Sequence, residues 1–472
     1  MTRFMWDQQF ISKPTAGENT TYAPGSFPRY SPVSGITGAT PLQLGCCEQL
    51  DQSGFAILLA WMTGLNDAST YAKIKVAAQH IQSVGPATIE RWEEMPGKSP
   101  SSIAAEIAGL IAAADMARQH DDTSNAISWE ATADAWLAYL PAWTLTTTGT
   151  WGGHPGHGVY FERLDQSANP NDTETIHLAN GDFPERDVVD FGFLELARLG
   201  LVAPNHWMVS SSLAPIAQAS DKNSAMQIGL PNGDVYFRRY VHDYYGESNL
   251  DCSGWPANAP DRYGRPWPLL SGERGEYELA HGRPAVLYLQ SMADAANDGY
   301  FVPEQIWDRS DIPCFPIGKP TGSAAPLTWA EGQYLRLAQS IDAGLNLDTP
   351  TVVSARYGGA RPILGKGDHC LDASTSIKLA KCNRARAQAW TWNSQTGALQ
   401  VLGKCMELVN GTASTGRLQL QSCRGSPSQE WRWRKQTRLL HASSGRCLAA
   451  TNGTEVEVRN CTNSPQQIWF LP

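Results

Sequence analysis

Long apolar runs are missing from this chain, and no stretch approaches the length of a membrane span, so no membrane-crossing helix and no membrane partner are expected. Basic residues are in deficit. The 37 Lys and Arg against 46 Asp and Glu leave a net charge of −9, which argues against nucleic acid as a partner, since phosphate binding wants clustered cations. The first residues, Met1-Thr-Arg-Phe-Met-Trp-Asp, contain no apolar core of a signal peptide. No Cys-x-x-Cys pair with partner histidines occurs, so no zinc site, other metal or cofactor is expected.

What the chain has in excess is tryptophan, with 17 residues. Trp offers a flat apolar face to the C–H face of a sugar, although most Trp in any protein is core. A length of 472 residues exceeds one ordinary core, so two or more domains are expected. Hydrophobic content of 42% with 18% charged residues describes a soluble globular chain. Six of the ten cysteines (Cys370, Cys382, Cys405, Cys423, Cys447, Cys461) crowd the C-terminal part, and only Cys46, Cys47, Cys252 and Cys314 serve the rest. Regular cysteines in a small domain read as disulfides, which implies an oxidising, secreted or extracytoplasmic location. The adjacent pair Cys46-Cys47 is read as structurally neutral.

The C-terminal part is a threefold repeat. Each copy carries a Cys-Leu-Asp-like start, a second Cys, then Gln-x-Trp: Cys370-Leu371-Asp372 to Gln388-Ala-Trp390, Cys405-Met406-Glu407 to Gln429-Glu-Trp431, and Cys447-Leu448-Ala449 to Gln467-Ile-Trp469. The Gln residues are spaced 41 and 38 positions apart. That period, with local alternation such as Leu418-Gln-Leu-Gln, predicts one four-strand unit per repeat, with the three Trp filling a shared core. These residues resemble the ricin-B lectin family across roughly 359–472. The resemblance implies a β-trefoil with disulfides Cys370–Cys382, Cys405–Cys423 and Cys447–Cys461. It implies a sugar pocket built on the acid after the Cys-Leu pair. Asp372 fits, Glu407 is a longer substitute, and Ala449 makes the third repeat structural. The simpler reading of Asp372 is a turn residue capping backbone N–H groups.

Residues before about 345 read as helical, with long Gly-, Pro- and Trp-rich connections. Ser99-Pro100 starts a helix in which Ile103, Ile107 and Leu110 share a face, and Gly200 closes another. Further helices are expected around Glu278, over 285–296 and over 326–344, with few strands before Arg356. Several motifs go further: Arg91-Trp92-Glu93-Glu94, Asp187-Val-Val-Asp190-Phe-Gly-Phe, Arg239-Tyr240, Arg265-Pro-Trp267-Pro-Leu-Leu-Ser-Gly-Glu273, and Pro303-Glu304-Gln305-Ile-Trp307. Their order and spacing resemble family-fifteen glycoside hydrolases of the glucoamylase and glucodextranase type over about 20–355. The resemblance implies an all-α (α/α)6-type barrel over 1–357, incomplete at its N-terminus, followed by an all-β trefoil over 358–472.

Hydrolysis of a glycoside with inversion needs a carboxylic acid to protonate the leaving oxygen. A carboxylate on the opposite face of the sugar must activate water. The resemblance assigns Glu93 as general acid and Glu304 as general base. Trp92 and like-charged Glu94, beside Glu93, would both raise its pKa. Glu273 competes for the base role, although an internal ion pair beside Arg274 is the simpler reading. Substrate contacts are expected from Trp92, Glu94, Arg239 and Trp267, against the alternatives of packed indoles and a Tyr-packed arginine. In the family a longer stretch of barrel precedes the general acid, whereas here 92 residues do, and the segment 27–32 departs from the family pattern. The expected function is an exo-acting, inverting hydrolase releasing glucose from α-glucan ends and tethered to polysaccharide by the trefoil. The alternatives are a glucodextranase- or trehalase-like hydrolase, or a catalytically impaired, lectin-like protein.

Overall fold

The structure, a computed structural model, describes residues 49–472 apart from 152–157, 180, 205, 221–224, 255–261, 282, 344–345, 358–362, 367–368, 383–385, 389, 393–396, 403, 410–415, 435–437, 442, 452, 463 and 470–472. Cys46, Cys47 and the segment 27–32 lie outside the described residues. The chain divides between Val353 and Ser354 into two compact units.

The first unit is helical. Its helices are α1 (Leu50–Met62), α2 (Ala68–Val84), α3 (Pro100–Gln119), α4 (Thr123–Thr144), α5 (Leu194–Arg198), α6 (Trp207–Gln218), α7 (Pro268–Ala280), α8 (Val286–Asp294) and α9 (Thr328–Ala343), with α10 (Thr351–Tyr357) running across the division. Local sequence explains several boundaries. Asp67 caps α2 by accepting from the N–H groups of Ser69 and Thr70, and Asp122 caps α4 through Asn125. Gly200, at φ 75°, ends the turn after α5 in the left-handed conformation a Cβ would resist. Ser99 is the N-cap residue of α3, with Pro100 in the first turn, but its side chain makes no cap bond. Its hydroxyl sits 3.2 Å from that of Ser101 instead.

The expected apolar face of α3 understates its position. Seventeen of its twenty residues are buried, so the helix is enclosed on every side, and its many alanines let neighbours approach. It packs against α1, α2, α4 and α5. At the crossing with α1 two glycines meet. A Cβ on Gly109 would stand 2.8 Å from the Cα of Gly54, and one on Gly54 would run into the carbonyl of Ala105. The strands of this unit are short pairs: Thr88–Ile89 with Pro96–Gly97, Leu145–Thr146 with Tyr160–Phe161, Thr175–Leu178 with Gly181–Pro184, and Gln227–Gly229 with Val235–Phe237. They close the loops between helices. A disulfide, Cys252–Cys314, joins two of the long connections, and nothing in the sequence singled it out.

The second unit is a β-trefoil. Strands 364–365, 369–372, 378–381 and 391–392 make the first repeat, 399–401, 404–409, 417–421 and 431–434 the second. The third has 438–441, 446–451 and 455–459 among the described residues. Third-repeat and first-repeat strands pair at Glu455 and Lys378, and a bridge joins Gly416 to Val458. Trp390, Trp431 and Trp469 are fully buried in one cluster. Their indole N–H groups donate to the carbonyls of Leu371, Met406 and Leu448 at 2.7, 2.9 and 2.9 Å, one bond per repeat. Cys370–Cys382, Cys405–Cys423 and Cys447–Cys461 are bonded as the family resemblance implied.

Burial in the first unit outweighs the neighbouring cations at some acids. Asp51, on α1, is 6% exposed and accepts from the Gln52 N–H and the Ser102 hydroxyl. Burial, and secondarily the charge of Glu90, push its carboxyl from 3.8 up to about 6, against the pull of Arg91. Burial and neighbouring Asp51 raise Glu106 on α3 as well. A carboxyl neutral when folded but ionised when unfolded keeps its proton in the folded chain. Its stability contribution is therefore present at low pH and lost as pH rises from about 4 through 6. Asp51→Asn is expected to stabilise the chain relative to wild type more at pH 7 than at pH 4, by up to about 3 kcal/mol. Denaturant unfolding at the two pH values measures the difference, and a difference independent of pH would show that Asp51 is not held neutral.

Candidate active site

The motif at 91–94 is a tight loop. Thr88–Ile89 and Pro96–Gly97 pair antiparallel beneath it, and the Glu90 N–H donates to the Met95 carbonyl at 3.1 Å. Inside the loop, Glu90 accepts from the Trp92 N–H at 2.8 Å, and Arg163 donates to the same carboxyl at 2.7 Å. Glu93 is exposed, and its N–H donates to the Glu90 carbonyl at 2.8 Å. It holds φ 67°, a left-handed conformation costly for a residue with a Cβ. The surrounding bonds offset that strain and hold the loop in which Glu93 is exposed.

Glu94 has a different environment from the one expected. Arg239 and Arg163 donate to its two oxygens at 2.9 and 2.7 Å, and the Tyr240 hydroxyl donates at 2.6 Å. Burial opposes ionisation, but these two guanidinium groups and the phenol outweigh it and hold the Glu94 carboxyl below its ordinary range. Its charge is thus compensated by two cations, rather than standing as an open like charge beside Glu93.

Arg239 is the centre of the site. It is 4% exposed, pairs through Nε and Nη2 with both oxygens of Asp243 at 2.9 and 2.7 Å, and reaches Glu94. Four rings surround it: Tyr245 at 4.7 Å, Tyr240 at 5.1 Å, Trp92 at 5.4 Å and Trp267 at 5.8 Å from ring centre to guanidinium carbon. It lies on a connection tied to Asp190 by the Asp190–Tyr240 bridge, not at a helix end. Trp92 and Trp267 pack edge to face at 5.4 Å and are each 6% exposed, so most of each indole meets protein. The Trp92 indole N–H donates to Asp190 at 3.2 Å.

Glu304 sits on the connection between α8 and α9, anchored by its N–H on the Ala324 carbonyl and by Ile306 on Pro266, next to Trp267. Burial raises its pKa, while the hydrogen bond with Tyr245 and the charge of Arg239 pull it down. Its Oε1 is buried without a protein hydrogen-bond partner. Glu273, the rival candidate, is on α7 and is bonded through both oxygens by Arg91 at 3.1 and 3.0 Å. The ion pair read from sequence exists, but with Arg91, while Arg274 pairs with Glu278. Among the described residues no group of three or more His, Cys, Asp or Glu side chains is placed to hold a metal ion.

Tyr245, Asp243, Arg163 and Trp329 were not singled out from sequence. Tyr245 and Asp243 belong to the run that follows Arg239, and its aromatic density (Tyr240, Tyr244, Tyr245) is a usable signal. Trp329, at the start of α9, is 41% exposed and lies 6.0 Å from Trp92, with Arg91 5.5 Å from its ring. Nothing near Arg163 in sequence marks it.

In the trefoil, Asp372 accepts from the Ser374 N–H at 2.8 Å and hydroxyl at 2.5 Å, and from Gln388 at 2.9 Å. Burial opposes its charge, but these bonds hold its carboxyl below the usual value. It caps a turn, as the simpler reading has it, and is also locked to the Gln of its repeat. Glu407 is bonded by Gln429 at 2.9 Å and is covered by Arg424, which donates to both its oxygens at 2.8 and 3.0 Å. In the third repeat, where Ala449 replaces the acid, the Gln467 side-chain amide donates to the Asn460 carbonyl at 2.9 Å.

Comparison with known proteins agrees with both units. The family described as glycosyl hydrolases family 15 matches residues 48–339, and the ricin-type beta-trefoil lectin domain matches 362–469. A glucoamylase from Clostridium sp. (strain G0005) is 36% identical over 312 residues, covering 66% of this chain and 41% of the relative. A bacterial glucoamylase crystallised in complex with acarbose superposes at a TM-score of 0.62 and 32% identity, covering 75% of this chain and 47% of that one. The chain thus spans less than half the length of either glucoamylase. With Trp92, Trp267 and Glu304 gathered around the buried Arg239 inside the matched region, the chain belongs to glycosyl hydrolase family 15 and carries a ricin-type β-trefoil lectin domain at its C-terminal end.

Proposed function

We propose that this chain is an inverting, exo-acting α-glucoside hydrolase that releases glucose from α-glucan ends, held near polysaccharide by its trefoil. One observation carries the reading. A single buried guanidinium, Arg239, gathers Trp92, Glu94, Tyr245 and Trp267 from segments far apart in sequence, and Tyr245 links the cluster to Glu304. In this reading Glu93, exposed on its strained turn, donates its proton to the leaving oxygen. Water attacks C1 from the opposite face as the glycosidic bond breaks, and Glu304 takes the water's proton. Arg239 and Glu94 bond sugar hydroxyls, and Trp92 and Trp267 supply apolar ring edges. The name and acarbose complex of the similar glucoamylases support an α-glucan substrate. The four disulfides among the described residues support an oxidising, extracytoplasmic location.

Binding by the trefoil is assigned to the first repeat. Asp372 is locked in place with its oxygens anchored, whereas the Arg424 cover on Glu407 competes with any sugar there. Tethering of this kind raises the effective substrate concentration without new contacts at the reacting bond.

Glu93→Gln is expected to abolish hydrolysis of α-glucans and to spare α-glucosyl fluoride, whose leaving group needs no proton. Glu304→Gln should impair both. The wild-type product should be the β-anomer by NMR before mutarotation, and release of the α-anomer would rule out inversion. Tyr245→Phe removes a hydrogen bond that favours ionised Glu304, so the acidic limb of the kcat/KM profile should move to higher pH. An unmoved limb would detach Glu304 from that ionisation. Asp372→Ala should weaken polysaccharide pull-down by the full chain while leaving turnover of a short soluble substrate unchanged. Turnover absent from a folded wild-type chain that still binds polysaccharide would favour a lectin-like protein.

A further inference from the structure

Beside the acid loop lies a cavity of about 210 Å³ lined by Glu94, Met95, His177, Leu178, Ala179, Tyr240, His242, Tyr244 and Tyr245. It is smaller than the roughly 300–1,000 Å³ of a pocket that encloses a drug-sized ligand, and suits one ring of a longer molecule. Its chemistry suits a sugar contact: three phenols, two imidazoles and one carboxylate offer polar groups and ring faces, and Met95, Leu178 and Ala179 complete the lining.

Its side of the reaction follows from which carboxylates reach it. Glu94, the neighbour of the proposed acid, lines the cavity directly, whereas Glu304, the proposed base, does not line it and is linked to it through Tyr245. In an inverting displacement the acid stands at the leaving oxygen, and the base stands across the sugar. The cavity therefore lies toward the leaving group.

Its outer wall is the hairpin formed by Thr175–Leu178 and Gly181–Pro184. Two contacts shape that wall. His177 and Asp182, opposite each other in register, are joined at 2.7 Å. The ring of Phe183 stacks on that of His242 at 3.8 Å and 13°. His242 holds φ 66° and lies three residues beyond Arg239, so the stack ties the hairpin to the segment that carries the central arginine. This aromatic pair thereby joins the hairpin to the catalytic frame, beside the buried Ile176 and Leu178.

We propose that this hairpin, clipped by Phe183 on His242, is the wall that receives the saccharide on the leaving-group side, and that it determines how well the protein accepts oligosaccharides over single sugars. The inference rests on the hydrolase reading for the direction of the substrate. The wall itself, where Leu178 and His242 line the cavity, is set by this chain's own hairpin and its stack on His242.

The test uses the full chain carrying Glu93→Gln to stop turnover and Asp372→Ala to weaken the trefoil. Maltotriose and glucose are titrated calorimetrically with and without Phe183→Ala. Any remaining trefoil binding is common to both sides of the comparison. Maltotriose affinity is expected to fall about five- to tenfold, the scale of a lost ring stack and the wall it holds, with glucose changed less than about twofold. Phe183→Tyr, which keeps the stack, should retain maltotriose affinity and so separates the wall from a folding defect. Unchanged maltotriose binding, or parallel losses for both sugars, would overturn the proposal. A chain that hydrolyses α-glucans yet shows no Phe183 effect overturns this wall alone. One that binds maltotriose through Phe183 but never hydrolyses, even with Glu93 intact, overturns the hydrolase reading and leaves a saccharide site.

Discussion

A guanidinium out of water is tolerable only when carboxylates and polarisable rings replace its hydration, and the first unit is organised around meeting that demand for Arg239. Asp243 supplies the fixed, in-plane partner four residues away, and Glu94 brings the second charge from the acid loop. The surrounding indole and phenol faces complete the shell. The partners come from three segments, so satisfying one cation draws together the loop at 90–95, the connection after Phe237 and the start of α7. The same demand explains why Glu94 is ionised and anchored, one residue after the left-handed turn at Glu93.

The glycine contact between α1 and α3 plays the corresponding part in the scaffold. Helices that approach at Gly54 and Gly109 leave no room for side chains between them, and α3 is enclosed as a result. Enclosure has an electrostatic cost, visible in the raised carboxyls of Asp51 and Glu106. Gly85 is part of the same tight region, since a Cβ there would press on Trp136 and on the Glu106 carboxyl.

In the trefoil, folding and recognition are carried by different atoms of one motif. The indole bond to the carbonyl after the first cysteine recurs in all three repeats, and so does the Gln bond to a carbonyl near the second cysteine. Neither bond needs the acid. The position of Asp372 is therefore free to vary to Glu407 and Ala449 without loss of the fold. Arg424 shows the consequence: a neighbouring cation occupies the longer acid of the second repeat.

The sequence by itself determined the trefoil, its three disulfides by family resemblance, the helical class of the first unit with five of its helices, and the family of the catalytic region. These rest on periodic burial, on short-range capping and on motifs of contiguous residues, all of which are written within a few positions of one another. Tertiary structure decided the partners of long charged side chains. Glu273 lies beside Arg274 in sequence but bonds Arg91, 182 residues away, and Glu94 is neutralised by Arg163 and Arg239. It also decided that α3 is enclosed and not one-faced, that Ser99 turns to Ser101, that Cys252 meets Cys314, and that Phe183 lands on His242. The reason is reach. An ion pair or ring stack is chosen by whichever element folding brings within a few ångströms, and that choice has no local signature in the chain.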